Sequence, residues 1–261
     1  MKGIIMAAGQ GTRLKPLSDV INKHLLPIYD KPMIFYPLSV LMLCKIKEIN
    51  IVVNPDQKNN FHKLLGDGSQ YGIKITYSIQ DQPNGIGEAF SLSEEFIGDD
   101  SCALILGDNI FYRDSMQSFL SKAIENLNGA TIFAYHVSDP ERFGVVSFNS
   151  EDKPVSIEEK PKKPLSSYAI PGLYFYDNSI KKIYKKVKPS SRGEIEITDI
   201  NREYLNMNKL NVVKLGRGVT WLDVGLPDSI IEASSFIRTI EKRQGLKIAN
   251  LEEIASSLGY I

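Results

Sequence analysis

The sequence predicts an α/β fold, a mixed, mostly parallel sheet flanked by helices, with a smaller β subregion set into it. Three observations carry this. Short, unbroken apolar runs occupy residues 2–8, 49–53, 73–79, 102–106 and 130–136, and strands covered on both faces are apolar throughout rather than alternating. Stretches of helical periodicity lie between them, which is the order that builds a parallel sheet with helices on its faces. Beyond about residue 139 the runs shorten and Pro154, Pro161, Pro164 and Pro171 interrupt them, as expected of short strands joined by turns.

In chain order, the run at 2–8 is the first strand. A helix is expected over 33–45, a strand at 49–53, a short helix at 61–65, a strand at 73–79 and a helix over 87–96. The strand at 102–106 precedes a helix at 115–127, where Met116, Phe119, Leu120, Ala123, Ile124 and Leu127 share one face. The strand at 130–136 closes this half. The subregion carries strands at 144–148, 155–159 and 168–176. Helices at 179–186, 196–207 and 229–244, with strands at 210–214 and 220–222 between them, complete the chain. No internal repeat or low-complexity segment divides it, so one domain over 1–261 is expected, with a change of character near 139 and a helical close from about 229.

Composition sets the boundaries of function. The chain has 261 residues, 43% of them hydrophobic and 24% charged, enough for a full core. Its 31 lysines and arginines balance 31 aspartates and glutamates, so no overall field draws it to nucleic acid or to an anionic membrane, and any phosphate site must be local. No apolar run is long enough to span a bilayer, and Met1-Lys2-Gly3 leads into a strand rather than a signal peptide, which gives a cytoplasmic expectation. Cys44 and Cys102 sit in apolar surroundings without metal-ligand spacing and are expected reduced. His24, His62 and His136 show no ligand spacing either.

The first strand breaks into Gly9-Gln10-Gly11-Thr12-Arg13, a loop suited to phosphate. Its glycines can take positive φ and bring N–H groups against a ligand, and Arg13 offers a fork of donors to phosphate oxygens. Lys23, ten residues on, adds a second cation. The loop is not a dinucleotide fingerprint, because Leu14 stands where the third glycine belongs, and no Gly-Lys-Ser/Thr end marks a P-loop. Two aspartates then follow apolar strands: Asp108 in Gly107-Asp108-Asn109 and Asp223 in Trp221-Leu222-Asp223-Val224-Gly225. Carboxylates at the C-terminal ends of strands lie where α/β sheets bind ligands, and two of them brought together would hold Mg²⁺, with phosphates and water completing its shell. No Ser/His/Asp or Cys/His constellation for covalent catalysis is present.

These residues resemble the sugar-1-phosphate nucleotidylyltransferases over nearly the whole chain. The likeness rests on 9–14, Lys23-His24-Leu25-Leu26-Pro27-Ile28-Tyr29-Asp30-Lys31-Pro32-Met33, 64–70, Gly107-Asp108-Asn109-Ile110-Phe111-Tyr112, 133–142, Glu158-Glu159-Lys160-Pro161, 172–178, 192–202 and Trp221-Leu222-Asp223. The resemblance implies a Rossmann-like, glycosyltransferase-A-like fold with a nucleotide-binding half at about 1–138, a sugar-phosphate-binding part at about 139–228 and a helical region at about 229–261. It implies Mg²⁺-dependent transfer of a thymidylyl group from dTTP to glucose 1-phosphate, giving dTDP-glucose and pyrophosphate at the head of a dTDP-rhamnose or other dTDP-deoxysugar pathway.

Residue by residue, the resemblance gives nucleotide binding to Ala8, Gly9, Gly11, Thr12, Arg13, Lys23, Gln80, Gly85 and Asp108, with Arg13 and Lys23 catalytic. Asp108, Gly144, Glu159, Lys160, Ile170, Arg192 and Trp221 would bind the sugar phosphate, and Asp108 and Asp223 the metal. A homo-oligomer, a dimer of dimers, is implied as well, without nucleic-acid or membrane partners. The chain departs from the family pattern at Ala8, His24, Phe143 and Pro171. Ala8 beside the base leaves a uridylyltransferase making UDP-glucose as the alternative. A non-catalytic nucleotide-sugar-binding subunit is the third reading, disfavoured because Arg13, Lys23, Asp108 and Asp223 are all retained. Many relatives continue past the equivalent of Ile261 with helices that shape a feedback site, so end-product inhibition is not expected to carry over.

Overall fold

The computed structural model describes residues 1–261, and the chain divides into two compact units. The first comprises residues 1–83, 104–112 and 220–261, and the second residues 84–103 and 113–219.

In the first unit, strands Lys2–Met6, Glu48–Val53 and Lys74–Ile79 run parallel, Gly3 opposite Ile49 and Ile49 opposite Ile75. The 104–106 end of strand Cys102–Leu106 lies on the other side of Lys2–Met6. Ala7 N–H donates to Val52 O at 2.8 Å and Gly107 N–H to Met6 O at 2.9 Å, so the ladder continues to the point where the glycine loop and Asp108 leave the sheet. Both therefore emerge at the C-terminal edge, as the sequence anticipates. Strand Thr220–Asp223 pairs antiparallel with Asn109–Tyr112, a strand not anticipated, and this pairing sets Asp223 opposite Asn109.

Four α-helices, Phe35–Leu43, Lys58–Leu65, Pro227–Gln244 and Leu251–Ser257, complete this unit. The long helix begins two residues earlier than expected because Pro227 sits in its first turn, where the missing N–H has no partner to lose. Asn250 caps the last helix, its side chain accepting the Glu253 N–H. Ala233, Ile237 and Ala249 pack with Ile28, Met33, Tyr36, Ile110 and Val224 in one buried cluster.

The second unit has mixed pairing. Strands Pro154–Glu159, Gly144–Phe148, Tyr168–Ala169, Ala130–His136 and Leu173–Tyr176 follow one another antiparallel, and Leu210–Leu215 runs parallel to Ala130–His136. The single strand expected at 168–176 is broken at Pro171, which has no N–H for the ladder. Ile170 N–H turns instead to Gly144 O at 2.8 Å, which brings two of the proposed sugar-site residues side by side. The helix expected over 87–96 is two short ones, Glu88–Leu92 and Glu94–Ile97, parted at Ser93 where φ opens to −114°. Helix Ile197–Asn206 places Asn201 against Tyr176, whose hydroxyl donates to Asn201 Oδ1 at 2.6 Å. No helix of either unit is long and apolar enough to cross a membrane.

Candidate functional site

The glycine loop is built by anchors beneath it. Leu14 is buried and Ser18 Oγ donates to Gly11 O at 2.7 Å, which holds the loop while Thr12 and Arg13 remain exposed. Gly11 has φ +62°, a conformation costly for any residue with a Cβ. Gly9 departs from expectation in its backbone alone: it is not in the positive-φ region, and a Cβ there would stand 3.3 Å from Lys23 Cε. Its bareness admits the Lys23 side chain under the loop.

Lys23 is fixed by its neighbours. Asn22, buried, donates to Ala7 O at 3.0 Å and accepts both the His24 N–H at 2.9 Å and His24 Nδ1 at 2.7 Å. From this short turn the Lys23 ammonium reaches back and pairs with Asp108 Oδ2.

Asp108 is buried at the end of its strand. Asn109 Nδ2 donates to Asp108 Oδ1 at 2.9 Å and to Asp223 Oδ1 at 3.4 Å, so one amide touches both carboxylates. The Trp221 indole N–H donates to Asn109 Oδ1 at 2.7 Å, which fixes the face that amide presents. Arg13 closes the group: a Cβ on Gly225 would lie 3.2 Å from its Nη2 and 3.6 Å from Asp223 Oδ2. Two carboxylates touched by one amide are oxygen donors of the kind a hard divalent cation takes, with water and phosphate supplying the rest of its shell. Ala8 is buried beside the loop, and Gln80, also buried, donates its backbone N–H to Val53 O at 2.9 Å at the end of the next strand.

Burial alone would raise the Asp108 carboxyl, but the charge of Lys23, that of His24 and the hydrogen bonds from Lys23 and Asn109 outweigh it and hold it at about 2. Burial, followed by the Lys23 charge, pushes His24 down from 6.5 to about 3. Both groups bind fewer protons folded than unfolded, so both favour folding above their unfolded values and lose that contribution as pH falls. His24 acts between about 6.5 and 3, Asp108 only below about 3.8. The urea midpoint of the apoprotein is accordingly expected to fall between pH 7 and pH 4, and His24→Gln to flatten that segment. An equal slope in the variant would show that His24 is not the group responsible.

The remaining predicted residues belong to the second unit. Glu159 accepts from Thr198 Oγ1 at 2.5 Å, and Lys160, with φ +43°, lies 3.5 Å from Glu159 Oε1 through its ammonium. A Cβ on Gly144 would meet Thr198 Oγ1 at 3.1 Å, Glu159 Oε2 at 3.4 Å and Ile170 Cδ1 at 3.8 Å. The Arg192 guanidinium is gripped by Glu196 at 2.8 and 2.9 Å and stands 3.5 Å from Glu159. Gly85, at φ +99°, is pinned against Ile195, whose N–H donates to Asn84 O at 2.7 Å. Gly144, Glu159, Lys160, Ile170 and Arg192 thus form one neighbourhood in this unit. Ala8, Gly9, Gly11, Thr12, Arg13, Lys23, Gln80, Asp108, Trp221 and Asp223 lie in the first.

Three residues of these networks escaped the sequence reading. Asn109 stands in sequence only as part of the run 107–112, and the strand register that makes it a bridge joins residues 114 apart. Thr198 and Glu196 flank the start of a helix and look like ordinary capping residues in sequence. In sequence both lie within the run 192–202, close behind Arg192.

The arrangement has counterparts among known proteins. The family described as Nucleotidyl transferase matches residues 2–240. A glucose-1-phosphate thymidylyltransferase of Neisseria meningitidis serogroup A is 53% identical over 261 residues, covering all of this chain and 91% of that protein. One of Mycobacterium tuberculosis is 50% identical, again over the whole of this chain and 90% of its own length. Among solved structures, a UDP-glucose pyrophosphorylase complexed with UDP-glucose superposes with a TM-score of 0.78 at 25% identity, over 92% of this chain and 98% of that one. A Bacillus anthracis protein crystallised with a sucrose reaches a TM-score of 0.84 at 41% identity, over 91% and 95%.

Proposed function

The chain belongs to the nucleotidyl transferase family, and from that premise we propose that it transfers a thymidylyl group from dTTP to glucose 1-phosphate, releasing dTDP-glucose and pyrophosphate. One observation of the site carries the reading: Asp108 and Asp223 share the Asn109 amide, with Lys23 on the first carboxylate and Arg13 beside the second. Two carboxylates and two cations at the C-terminal edge of a parallel sheet are what phosphoryl transfer needs, because its transition state is stabilised by position and charge rather than by a protein nucleophile.

In this reading the loop of Gly9, Gly11, Thr12 and Arg13 receives the triphosphate, and Ala8, Gln80 and Gly85 face the base. Gly144, Glu159, Lys160, Ile170, Arg192 and Trp221, with Asp108, receive the sugar phosphate, Lys160 and Arg192 taking its phosphoryl oxygens. An oxygen of glucose 1-phosphate attacks the α-phosphorus of dTTP in line, a new P–O bond forms, and the bond to the β-phosphate breaks. Arg13 and Lys23 balance the charge that gathers on the departing pyrophosphate. Asp108 and Asp223 would hold the divalent cation, Mg²⁺ in this proposal, which when bound neutralises phosphate charge and polarises the reacting phosphoryl group. Family membership supports a divalent metal in general terms. Work in the cytoplasm as a homo-oligomer, a dimer of dimers, at the head of a dTDP-deoxysugar pathway belongs to the same proposal.

Base choice is its open edge, since Ala8 stands where a glycine beside the base would give more room. The test is pyrophosphate release with dTTP, UTP and the other nucleotides, each paired with glucose, galactose and N-acetylglucosamine 1-phosphates. Highest kcat/KM for dTTP with glucose 1-phosphate is expected. Preference for UTP would turn the reading to a uridylyltransferase, and silence on every pair to a binding subunit.

A further inference from the structure

The hairpin that follows Lys23 is fastened to the long C-terminal helix in a way the chemistry does not by itself explain. Strands Pro27–Ile28 and Lys31–Pro32 pair through a two-residue turn at Tyr29 and Asp30, and Tyr29 has φ +61°. A side chain bearing a ring is costly there, and the fold holds it: the Tyr29 N–H donates to Ser234 Oγ at 3.1 Å. Beside the turn, Glu241 is almost wholly buried, its side chain 4% exposed. It accepts from Lys31 at 3.1 Å, from Lys247 at 2.9 Å and from the Ile248 N–H at 2.9 Å, while Asp30 accepts from Lys31 and Lys247. Burial would raise the Glu241 carboxyl, but Lys247, the Ile248 N–H and Lys31 outweigh it, so the group is held ionised.

The hairpin is continuous with the Lys23 turn. Met33 N–H donates to Leu26 O at 3.0 Å, Ile34 N–H to His24 O at 2.9 Å and Leu26 N–H to Lys23 O at 3.1 Å. At the other end of the same helix the chain enters from Asp223, and Val224 N–H donates to Asp108 O at 2.9 Å. Helix Pro227–Gln244 thus starts beside the metal-binding pair and ends at the hairpin's ion-pair network, a span of about 27 Å for 18 residues at 1.5 Å each.

We infer that this helix is a strut setting Lys23 in register with Asp108 and Asp223, and that Glu241 is the positioning residue that fastens its far end. The inference rests on the proposed function. Glu241 contacts none of the residues assigned to substrate, so its effect must pass through Lys31 and the hairpin. Networks of this kind change function by about 2- to 30-fold when one member is altered.

The test uses the full chain with dTTP, glucose 1-phosphate and Mg²⁺. Wild-type turnover is measured first; its absence would overturn the functional reading on its own. Glu241→Gln is then expected to lower kcat/KM for dTTP about tenfold while KM for glucose 1-phosphate stays within twofold, and Glu241→Asp, which keeps the charge, to recover part of the loss. Ser234→Ala, a change small enough to preserve the fold, should lower kcat/KM for dTTP about threefold. A fall in Tm for Glu241→Gln with kcat/KM for dTTP unchanged would overturn the inference, as would equal losses toward both substrates. Should Glu241→Gln not fold, Ser234→Ala decides, and wild-type kinetics in it would overturn the strut.

Discussion

Asp223→Asn is expected to lower kcat by about 10²- to 10³-fold while the protein stays folded, a loss typical of removing one charge-stabilising group from a preorganised site. The substitution keeps the size and shape of the side chain and removes its negative charge. Asp223 lies in strand Thr220–Asp223, which is held by its backbone pairing to Asn109–Tyr112 rather than by its carboxylate, so Tm should move by a few degrees at most. The carboxylate instead accepts from Asn109 Nδ2, and Arg13 Nη2 lies with it around Gly225. An amide there would point a second N–H group into a place already supplied with donors, and it would bind a divalent cation weakly. Raising Mg²⁺ should recover part of the rate. Turnover near the wild-type value in saturating Mg²⁺ would remove Asp223 from the metal site, and loss of folding would make its role structural.

Lys23→Met is expected to damage both stability and rate, and the two losses have separate causes. Lys23 and Asp108 are 13% and 12% exposed at their side chains and are paired. Removing the cation leaves a buried carboxylate with reduced compensation, a change that costs about 3–5 kcal/mol in comparable buried pairs. The rate should fall about 10³-fold through kcat/KM for dTTP, because the ammonium that balances the departing pyrophosphate is gone. Mg²⁺ separates the effects: a cation on Asp108 can replace the missing charge, so added Mg²⁺ should raise the variant's Tm more than the wild type's while the rate stays low. An unchanged Tm in the apoprotein would show that the pair carries no stability. Lys23→Arg should not match the wild type, since the planar guanidinium is wider than the ammonium and the lysine stem already runs so close to Gly9 that a Cβ there would stand 3.3 Å from Lys23 Cε.

The parts of the site that were legible in sequence are those set by local rules. A strand that ends in Gly-Gln-Gly-Thr-Arg, and another that ends in Gly-Asp-Asn, announce the C-terminal edge of a sheet because the apolar run stops where the polar groups begin. The strands expected at 49–53 and 73–79, found parallel at Glu48–Val53 and Lys74–Ile79, were legible for the same reason. What escaped depends on register or on contacts between distant segments. Nothing near Asn109 says that it will sit opposite Asp223, and nothing near Trp221 says that its indole will orient that amide. Gly9 reads in sequence as a positive-φ glycine, whereas its backbone lies outside that region and its missing Cβ makes room for a lysine that arrives from fourteen residues further on. Pro171 was visible, yet its consequence, a broken strand that turns Ile170 toward Gly144, depends on the partner strand. The interleaving of the two units, with 104–112 and 220–261 joined to the first 83 residues, is likewise a matter of long-range pairing that composition does not record.

Direct identification of the product tests the central claim most closely. The full chain is incubated with dTTP, glucose 1-phosphate and Mg²⁺, and the phosphorus-containing products are resolved by ³¹P NMR and mass. The account predicts dTDP-glucose and pyrophosphate in a one-to-one ratio, with dTTP and glucose 1-phosphate re-formed when pyrophosphate is added in excess. Hydrolysis of dTTP without a sugar nucleotide, or recovery of both substrates unchanged, would contradict it.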